Sequence, residues 1–252
     1  MARVVALEPT MGDARELDRS NLVYHEAQDR MALLPNYYAW IARRFQDSVR
    51  GTVLELGCGA GMVLEHYLPR CDKVVAVDVN PELLRTLAAR FAGGKVDARQ
   101  ADLRGDWREL ADVRADVAVA LDVVEHFEDD DAFVEKLKAR LAPGGTAVIK
   151  VPAQSRLYGA MDKASGHWRR YDAASLRALF ERHGFATRAL RPMNPVGAWG
   201  YRLKKDRETN YSKTFSPAKL KLVNAAIPVL ALFDHLPGLD GLSLVGIFDL
   251  KS

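Results

Sequence analysis

The stretch VLELGCGAGM (residues 53–62) decides how this chain is read. An apolar run, interrupted by Glu55, breaks into glycines at every second position: Gly57, Gly59 and Gly61. A chain gives up side chains directly after a strand where something has to approach the backbone closely.

Working outward, strand and helix patterns alternate. Strands are predicted at TVLEL (52–56), KVVAVD (73–78), KVDARQ (95–100), DVAVAL (116–121), TAVIKV (146–151), ATRALRP (186–192) and LSLVGIFDL (242–250). Helices are predicted at GMVLEHYL (61–68), NPELLRTLAARF (80–91), DDAFVEKLKARL (130–141) and AASLRALFERHGF (173–185). Asn80 reads as an N-cap with Pro81 in the first helical position, and Gly184 as a helix stop. Such alternation predicts an α/β fold, a mostly parallel, doubly wound sheet of seven strands. Ligands bind such sheets at the carboxyl ends of the strands, where the glycine loop lies. Four parts are expected: a helical N-terminal cover (1–50), a core (51–194), a helical lid inserted before the last strand (195–240) and the final strand (241–252).

The chain has 252 residues, 48% of them hydrophobic, enough for one large core with appendages. Its net charge is +3, but residues 156–221 carry +10, the composition of a solvated basic face or of a mouth that attracts an anion. Cys58 and Cys71 fall at opposite ends of neighbouring strands, too far apart to bridge, so both are expected as free thiols. The first residues do not read as a secretory signal, and the apolar run AAIPVLALF (225–233) is too short for a membrane span. The expectation is a soluble, cytoplasmic protein. The longer segment KLVNAAIPVLALFDHL (221–236) is apolar on nearly every face and has to be buried, over the carboxyl edge of the sheet or in a homodimer interface.

The glycine spacing is not the G-x-G-x-x-G of dinucleotide-binding proteins, because position 62 is Met. Asp78, about 20 residues on, ends the second strand where a carboxylate takes both hydroxyls of a ribose; its alternative role is a helix cap. Asp102 follows the third strand, placed to reach an adenine amino group or to make a turn.

Taken in order, VLELGCGAG, VVAVDVN, QADL, DVAVALDVVEHFEDD and LAPGGTAVIKVP resemble the motifs of class I S-adenosylmethionine-dependent methyltransferases, which have a Rossmann-like fold. The match runs from about residue 53 to 185, and LYGAMDKASGHWRRYDAASLRALFERHGF (157–185) is similar to a stretch found in bacterial small-molecule members. The resemblance implies S-adenosylmethionine as cofactor. It implies that Gly57, Cys58, Gly59 and Gly61 let the backbone approach the methionine part, and that Glu55 accepts hydrogen bonds that shape the loop. Asp78 would hold the ribose, Val79 the adenine face, Asp102 the adenine amino group, the Leu103 backbone a ring nitrogen, and Asp122 would lie near the sulfonium.

Methyl transfer from a sulfonium is an in-line displacement, for which alignment and exclusion of water supply much of the rate. No H-E-x-x-H or clustered Cys/His spacing is present, so no metal is expected. His126 is the best-placed titratable group and His167 the second; at most one is expected to act as a base. The alternative for His126 is a residue that fixes the start of the helix at EDDD. Arg169, Arg170 and Tyr171 either grip an anion or anchor their loop. Tyr24 and His25 are further candidates on the N-terminal cover. The acceptor is expected to be a small molecule, anionic or with apolar parts.

Three rival readings remain. YRLKKDRETNYSK (201–213) has the basic, tyrosine-interleaved character of an RNA contact, but no RNA-binding module accompanies it, and LDVV stands where amino-directed nucleic-acid enzymes carry an NPPY-like tetrapeptide. Nucleic acid is therefore not the expected partner. A nicotinamide-dependent reductase is disfavoured by the glycine spacing. A binding protein that keeps the cofactor fold without turnover is the third.

Overall fold

The computed structural model describes residues 32–203 and 216–251. Strands β1 (Gly51–Leu56), β2 (Cys71–Asp78), β3 (Val96–Gln100), β4 (Ala115–Leu121), β5 (Leu141–Pro152), β6 (Phe185–Met193) and β7 (Ser243–Leu250) form one sheet, in the order β3-β2-β1-β4-β5-β7-β6. Strands β1 to β5 run parallel. β7 enters antiparallel between β5 and β6, a reversal that strand patterning alone does not reveal. Every strand predicted from the sequence is present, and the sheet is the mostly parallel, doubly wound Rossmann-like one.

Eight α-helices are described: α1 (Pro35–Arg43), α2 (Leu64–Tyr67), α3 (Pro81–Arg90), α4 (Asp130–Lys138), α5 (Ala160–Ala164), α6 (Ala173–Arg182), α7 (Pro195–Arg202) and α8 (Pro217–Leu230). Side chains alternate across each strand, so each face of the sheet needs its own cover. Leu54 and Leu56 lie in one core with Phe133 and Leu137 of α4 and Leu176 and Phe180 of α6. Val53 lies in the other, with Trp40 and Ile41 of α1, Tyr67, and Leu84 and Leu87 of α3.

Local chemistry sets the helix starts. Asn80 Oδ1 accepts from the amides of Glu82 (2.9 Å) and Leu83 (3.3 Å), with Pro81 opening α3. Asp129 Oδ1 accepts from Ala132 N at 2.9 Å and caps α4. The helix predicted over 61–68 is only one turn, α2, followed by a 3-10 turn at Leu68–Arg70. Gly61 in the left-handed region (φ +72) delays its start, and Pro69, which has no amide hydrogen, ends it before β2.

α1 and α8 are joined side by side. Asn36 N donates to Asn224 Oδ1 (2.8 Å), and Asn36 Nδ2 to the Asn224 carbonyl (2.9 Å). Trp40 Nε1 donates to Asp234 Oδ2 at 2.8 Å, and Asn194 N to Asp234 Oδ1 at 2.8 Å. The expectation that the apolar segment 221–236 is buried is met only at Ile227. Leu222 stays 72% exposed because α8 meets its neighbours along one side, and Leu232, in the 3-10 turn Ala231–His235 that follows, stays 65% exposed. Among the described residues, no helix is long and apolar enough to cross a membrane. Cys58 and Cys71 are buried free thiols.

Phe180 is fully buried, stacked on Phe248 at 4.2 Å and edge-on to Phe185 at 5.4 Å. It joins α6 to β6 and β7, and truncating it opens a cavity at that junction. Phe180→Ala is expected to cost about 3–5 kcal/mol of stability, read from the urea midpoint at unchanged m-value.

Candidate active site at the carboxyl edge of the sheet

β1 pairs with β2 on one side and β4 on the other, so their carboxyl ends lie together at the point where strand order reverses. The glycine loop leaves β1 here. Gly57, Gly59 and Gly61 all have positive φ (+70°, +52° and +72°). A Cβ on Gly57 would stand 2.7 Å from Val123 Cγ2, just past β4, so only glycine leaves the crevice between these strands clear. A Cβ on Gly61 would meet Leu87 and Phe91 instead, which makes Gly61 a packing position under α3. The amides of Gly57 and Cys58 donate to the Val77 carbonyl (2.8 and 3.0 Å), and Gly59 N donates to Asp78 Oδ2 (2.8 Å). The end of β2 therefore shapes the loop, a role the sequence assigns to Glu55.

Glu55 is buried on the face of the sheet that holds Val53 and Tyr67, and its Oε2 has no hydrogen-bond partner among the described residues. Burial pushes its carboxyl up to about 8, against a smaller opposing effect of the Tyr67 hydroxyl.

Asp78 ends β2. Its Oδ1 accepts from Asn80 N at 2.9 Å, while Asn80 itself caps α3. With one amide on each oxygen, lone pairs remain on both for two hydroxyl donors. Val79 beside it is 53% exposed, an apolar surface at the same edge. Asp102 follows β3 and is engaged by Arg104, whose backbone amide (2.9 Å) and Nε (3.1 Å) both donate to Oδ1. Leu103 is buried, and its carbonyl accepts from Trp107 Nε1 at 2.6 Å.

Asp122 follows β4 with a left-handed backbone (φ +56), a conformation that non-glycine residues adopt at a cost. Its carboxylate takes the ammonium of Lys150 at 2.5 Å. Lys150 is buried within β5. Burial alone would lower its pKa, but Asp122 and the Tyr37 hydroxyl of α1 outweigh that and hold it above the usual lysine range. Sequence reasoning missed Lys150, although a lysine inside the run TAVIKV is the signal of a buried charge.

His126 and His167 come together from separate loops, their rings 4.8 Å apart and nearly perpendicular. His126 does not fix the start of α4, since Asp129 caps that helix; its Nδ1 lies 3.2 Å from the Gly166 carbonyl. Burial, and then the neighbouring His167, lower the pKa of His126. His167 Nδ1 lies 3.2 Å from Asp162 Oδ1. Asp162, also missed in the sequence, takes Arg170 Nε on both oxygens (2.8 and 2.9 Å) and the Tyr201 hydroxyl at 2.8 Å.

Arg169, Arg170 and Tyr171 are all engaged within the chain. Arg169 donates to the Glu128 carbonyl and pairs with Asp130 at 3.1 Å. Arg170 is buried over the Tyr201 ring, 4.2 Å from its centroid, and the Tyr171 hydroxyl donates to Asp130 Oδ2 at 2.8 Å. These are the contacts of loop anchors, and an anion reaching Arg170 would have to displace Asp162. Tyr24 and His25 lie outside the described residues.

The residues fit S-adenosylmethionine on the structure's own terms. Gly57 keeps a cradle that a Cβ would fill, Asp78 has spare acceptor capacity at the right edge, and Glu55 has an orphaned buried oxygen beside the loop's strand.

Comparison with known proteins agrees. Residues 24–190 match a family model described as a methyltransferase domain. The chain is similar to the trans-aconitate 2-methyltransferase of Azoarcus sp. (strain BH72), 31% identical over 205 residues, covering 77% of this chain and 67% of that protein. It is also similar to the ubiquinone biosynthesis O-methyltransferase of Nitrobacter winogradskyi, 35% identical over 99 residues, 37% of this chain and 35% of that one. The matched stretch thus spans between 35% and 67% of the length of these two relatives. Among solved structures, the N-methyltransferase NodS of Bradyrhizobium japonicum WM9, in complex with S-adenosyl-L-homocysteine, aligns with a TM-score of 0.53. Its identity is 15% over 85% of each chain, a likeness of fold.

Two predictions follow from this geometry. Asp78→Ala removes both of the acceptor oxygens offered to a ribose diol and is expected to weaken S-adenosyl-L-homocysteine binding by about 2–4 kcal/mol in calorimetry. Unchanged affinity in a folded variant would remove Asp78 from the site. The second concerns pH. With its folded pKa raised to about 8, Glu55 keeps a proton that the unfolded chain gives up near the ordinary glutamate value of 4.5. Its contribution to stability is therefore present below about pH 4.5 and lost as pH rises to about 8. The melting temperature of the ligand-free protein should fall between pH 5 and pH 8, and Glu55→Gln should flatten that slope.

Proposed function

The chain belongs to the class I S-adenosylmethionine-dependent methyltransferases, and we propose that it transfers a methyl group from S-adenosylmethionine to a small-molecule acceptor received beside His126 and His167. The observation that carries this reading is the shared edge. The glycine loop, Asp78 and Asp122 end β1, β2 and β4 side by side, and the loop leaving Asp122 leads directly to His126. When bound, S-adenosylmethionine supplies an electrophilic methyl group on a positively charged sulfur.

The chain's own residues divide the remaining work. Asp78 binds the ribose diol with the lone pairs that Gly59 and Asn80 leave free. Val79 covers one face of the adenine, and Asp102 and the Leu103 backbone meet its edge. Asp122, steadied by Lys150, lies towards the sulfonium end. The two imidazoles present nitrogen lone pairs towards the acceptor. Because charge at sulfur disappears during transfer, holding the acceptor in line and dry supplies much of the acceleration.

The test is methyl transfer by the full chain, measured as S-adenosyl-L-homocysteine release across a panel of small hydroxyl, amine and carboxylate acceptors, with bulk RNA as the contrasting substrate. Turnover is expected on a small molecule, and transfer to RNA alone would overturn the acceptor class. With the acceptor found, His126→Ala is expected to lower kcat about 10²–10⁴-fold while leaving S-adenosyl-L-homocysteine affinity unchanged. Retained turnover would take His126 out of the reaction.

A further inference from the structure

Glu125, His126 and His167 form a group that methyl transfer by alignment does not require. Glu125 and His126 end the turn Val124–His126 after β4, and His167 lies between α5 and α6. One ligand atom from each lies within 4.8 Å of the other two. The two segments are pinned together, because Trp168 N donates to the Glu125 carbonyl at 2.8 Å. Bringing the three side chains together therefore needs no loop to close.

Hydrogen bonds decide which ring nitrogens are free. His126 Nδ1 faces a carbonyl oxygen, that of Gly166, and His167 Nδ1 faces a carboxylate oxygen of Asp162. Both partners are acceptors, so both Nδ1 atoms carry the hydrogen and both Nε2 atoms keep their lone pair. A metal-binding histidine is held in the same way, its second nitrogen donating to a carbonyl or carboxylate. Asp162 is itself fixed by Arg170 and Tyr201, so His167 is held firmly.

Glu125 supplies the independent observation. It is 0% exposed, and among the described residues neither of its carboxyl oxygens has a hydrogen-bond partner. Native interiors seldom leave both oxygens of a carboxyl group unsatisfied, and a bound ion or water is among the usual reasons. The nearby Asp122 is occupied by Lys150 and adds further negative charge to the neighbourhood.

We propose that Glu125, His126 and His167 bind one divalent first-row transition-metal ion, and that its open coordination positions receive a hydroxyl oxygen of the methyl acceptor. Two imidazole nitrogens and one carboxylate oxygen suit zinc, iron(II) or manganese(II) better than calcium. Three protein ligands leave positions for a substrate, as in catalytic rather than structural sites. The acceptor half of the proposal rests on the methyl-transfer reading; binding of the ion does not. A hydroxyl held on the ion becomes more acidic and releases its proton to water. The oxygen then forms the bond to the methyl carbon as the sulfur–methyl bond breaks. The sulfonium leaves as a neutral thioether, and the products are a methyl ether and a proton.

The experiment uses the full chain, stripped with a chelator, dialysed, and titrated with Mn2+ or Zn2+ alone in a calorimeter. One equivalent is expected to bind. Glu125→Gln, His126→Ala and His167→Ala should each weaken binding at least about 10–100-fold, the loss usual even for partners one shell further out. Visible absorption of Co2+ bound to the wild-type protein, absent from His126→Ala, would report imidazole ligation directly. S-adenosyl-L-homocysteine binding is measured on the same stripped samples. Its retention in the variants shows that they are folded; its absence in the wild type would overturn the methyl-transfer reading without touching the ion. Should Glu125→Gln fail to fold, the half-buried His126 and His167 variants carry the test. No binding to the wild-type protein, or equal binding to the His126→Ala/His167→Ala double variant, overturns the proposal.

Discussion

The upper edge of the molecule depends on β1 lying between β2 and β4 with all three strands running the same way. Leu56, the last residue of β1, pairs with Val77 on one side and Ala120 on the other. That register brings Gly57, Asp78 and Asp122 to one line. It also forces the loop to pass so close to Val123 that a single Cβ at Gly57 would collide. The glycine loop is then fastened by three amides to the end of β2. Site and sheet are thus one construction: loosening the β1–β2 pairing would release the loop and the acid that steadies it together.

Two buried carboxyl groups near the second half of that edge are treated in opposite ways. Asp162 collects Arg170, His167 and Tyr201, and these partners outweigh burial and hold its carboxyl well below the usual carboxylate range. A buried charge of this kind is tolerated because its partners fill its lone pairs. Glu125 sits beside the same histidines, neither oxygen partnered among the described residues, and burial, then Asp122, push its carboxyl upward. Arg170 and Tyr171, on one short segment, anchor the loop to Asp162 and Asp130. The sequence HWRRY therefore serves placement of the histidine more than capture of an anion.

Much of the fold was legible because alternation of strands and helices is a strong signal, and all seven strands lie where their apolar runs predict. The antiparallel entry of β7 was not legible, since direction in a sheet is a property of connections rather than of any one strand. The shortness of α2 was readable in retrospect from Gly61 and Pro69. At the site, Asp78 and the two histidines stand out as polar residues after apolar strands. What binds them does not. The Gly59–Asp78 bond joins residues 19 apart, and His126 meets the Gly166 carbonyl across 40 residues. Glu125 was hidden by its neighbour, because a glutamate in a charged run reads as solvated, and only packing shows that it is enclosed.

The antiparallel strand has a consequence for how the chain assembles. β7 fills the slot between β5 and β6, and the Thr146–Asp249 hydrogen bond closes a loop of 103 residues. Until that closure, the buried edge of β5 from Thr146 to Pro152 has no partner, and β6, which among the described strands pairs only with β7, has nowhere to attach. Long-range closures of this kind are slow, and an open apolar edge invites pairing with other chains while it waits. During synthesis from the amino end, the half of the sheet that carries the glycine loop can form early, while the half that completes β5 must wait for residues 243–250 to emerge. The hazardous interval in the life of this protein is therefore the delay between the making of β5 and the arrival of β7.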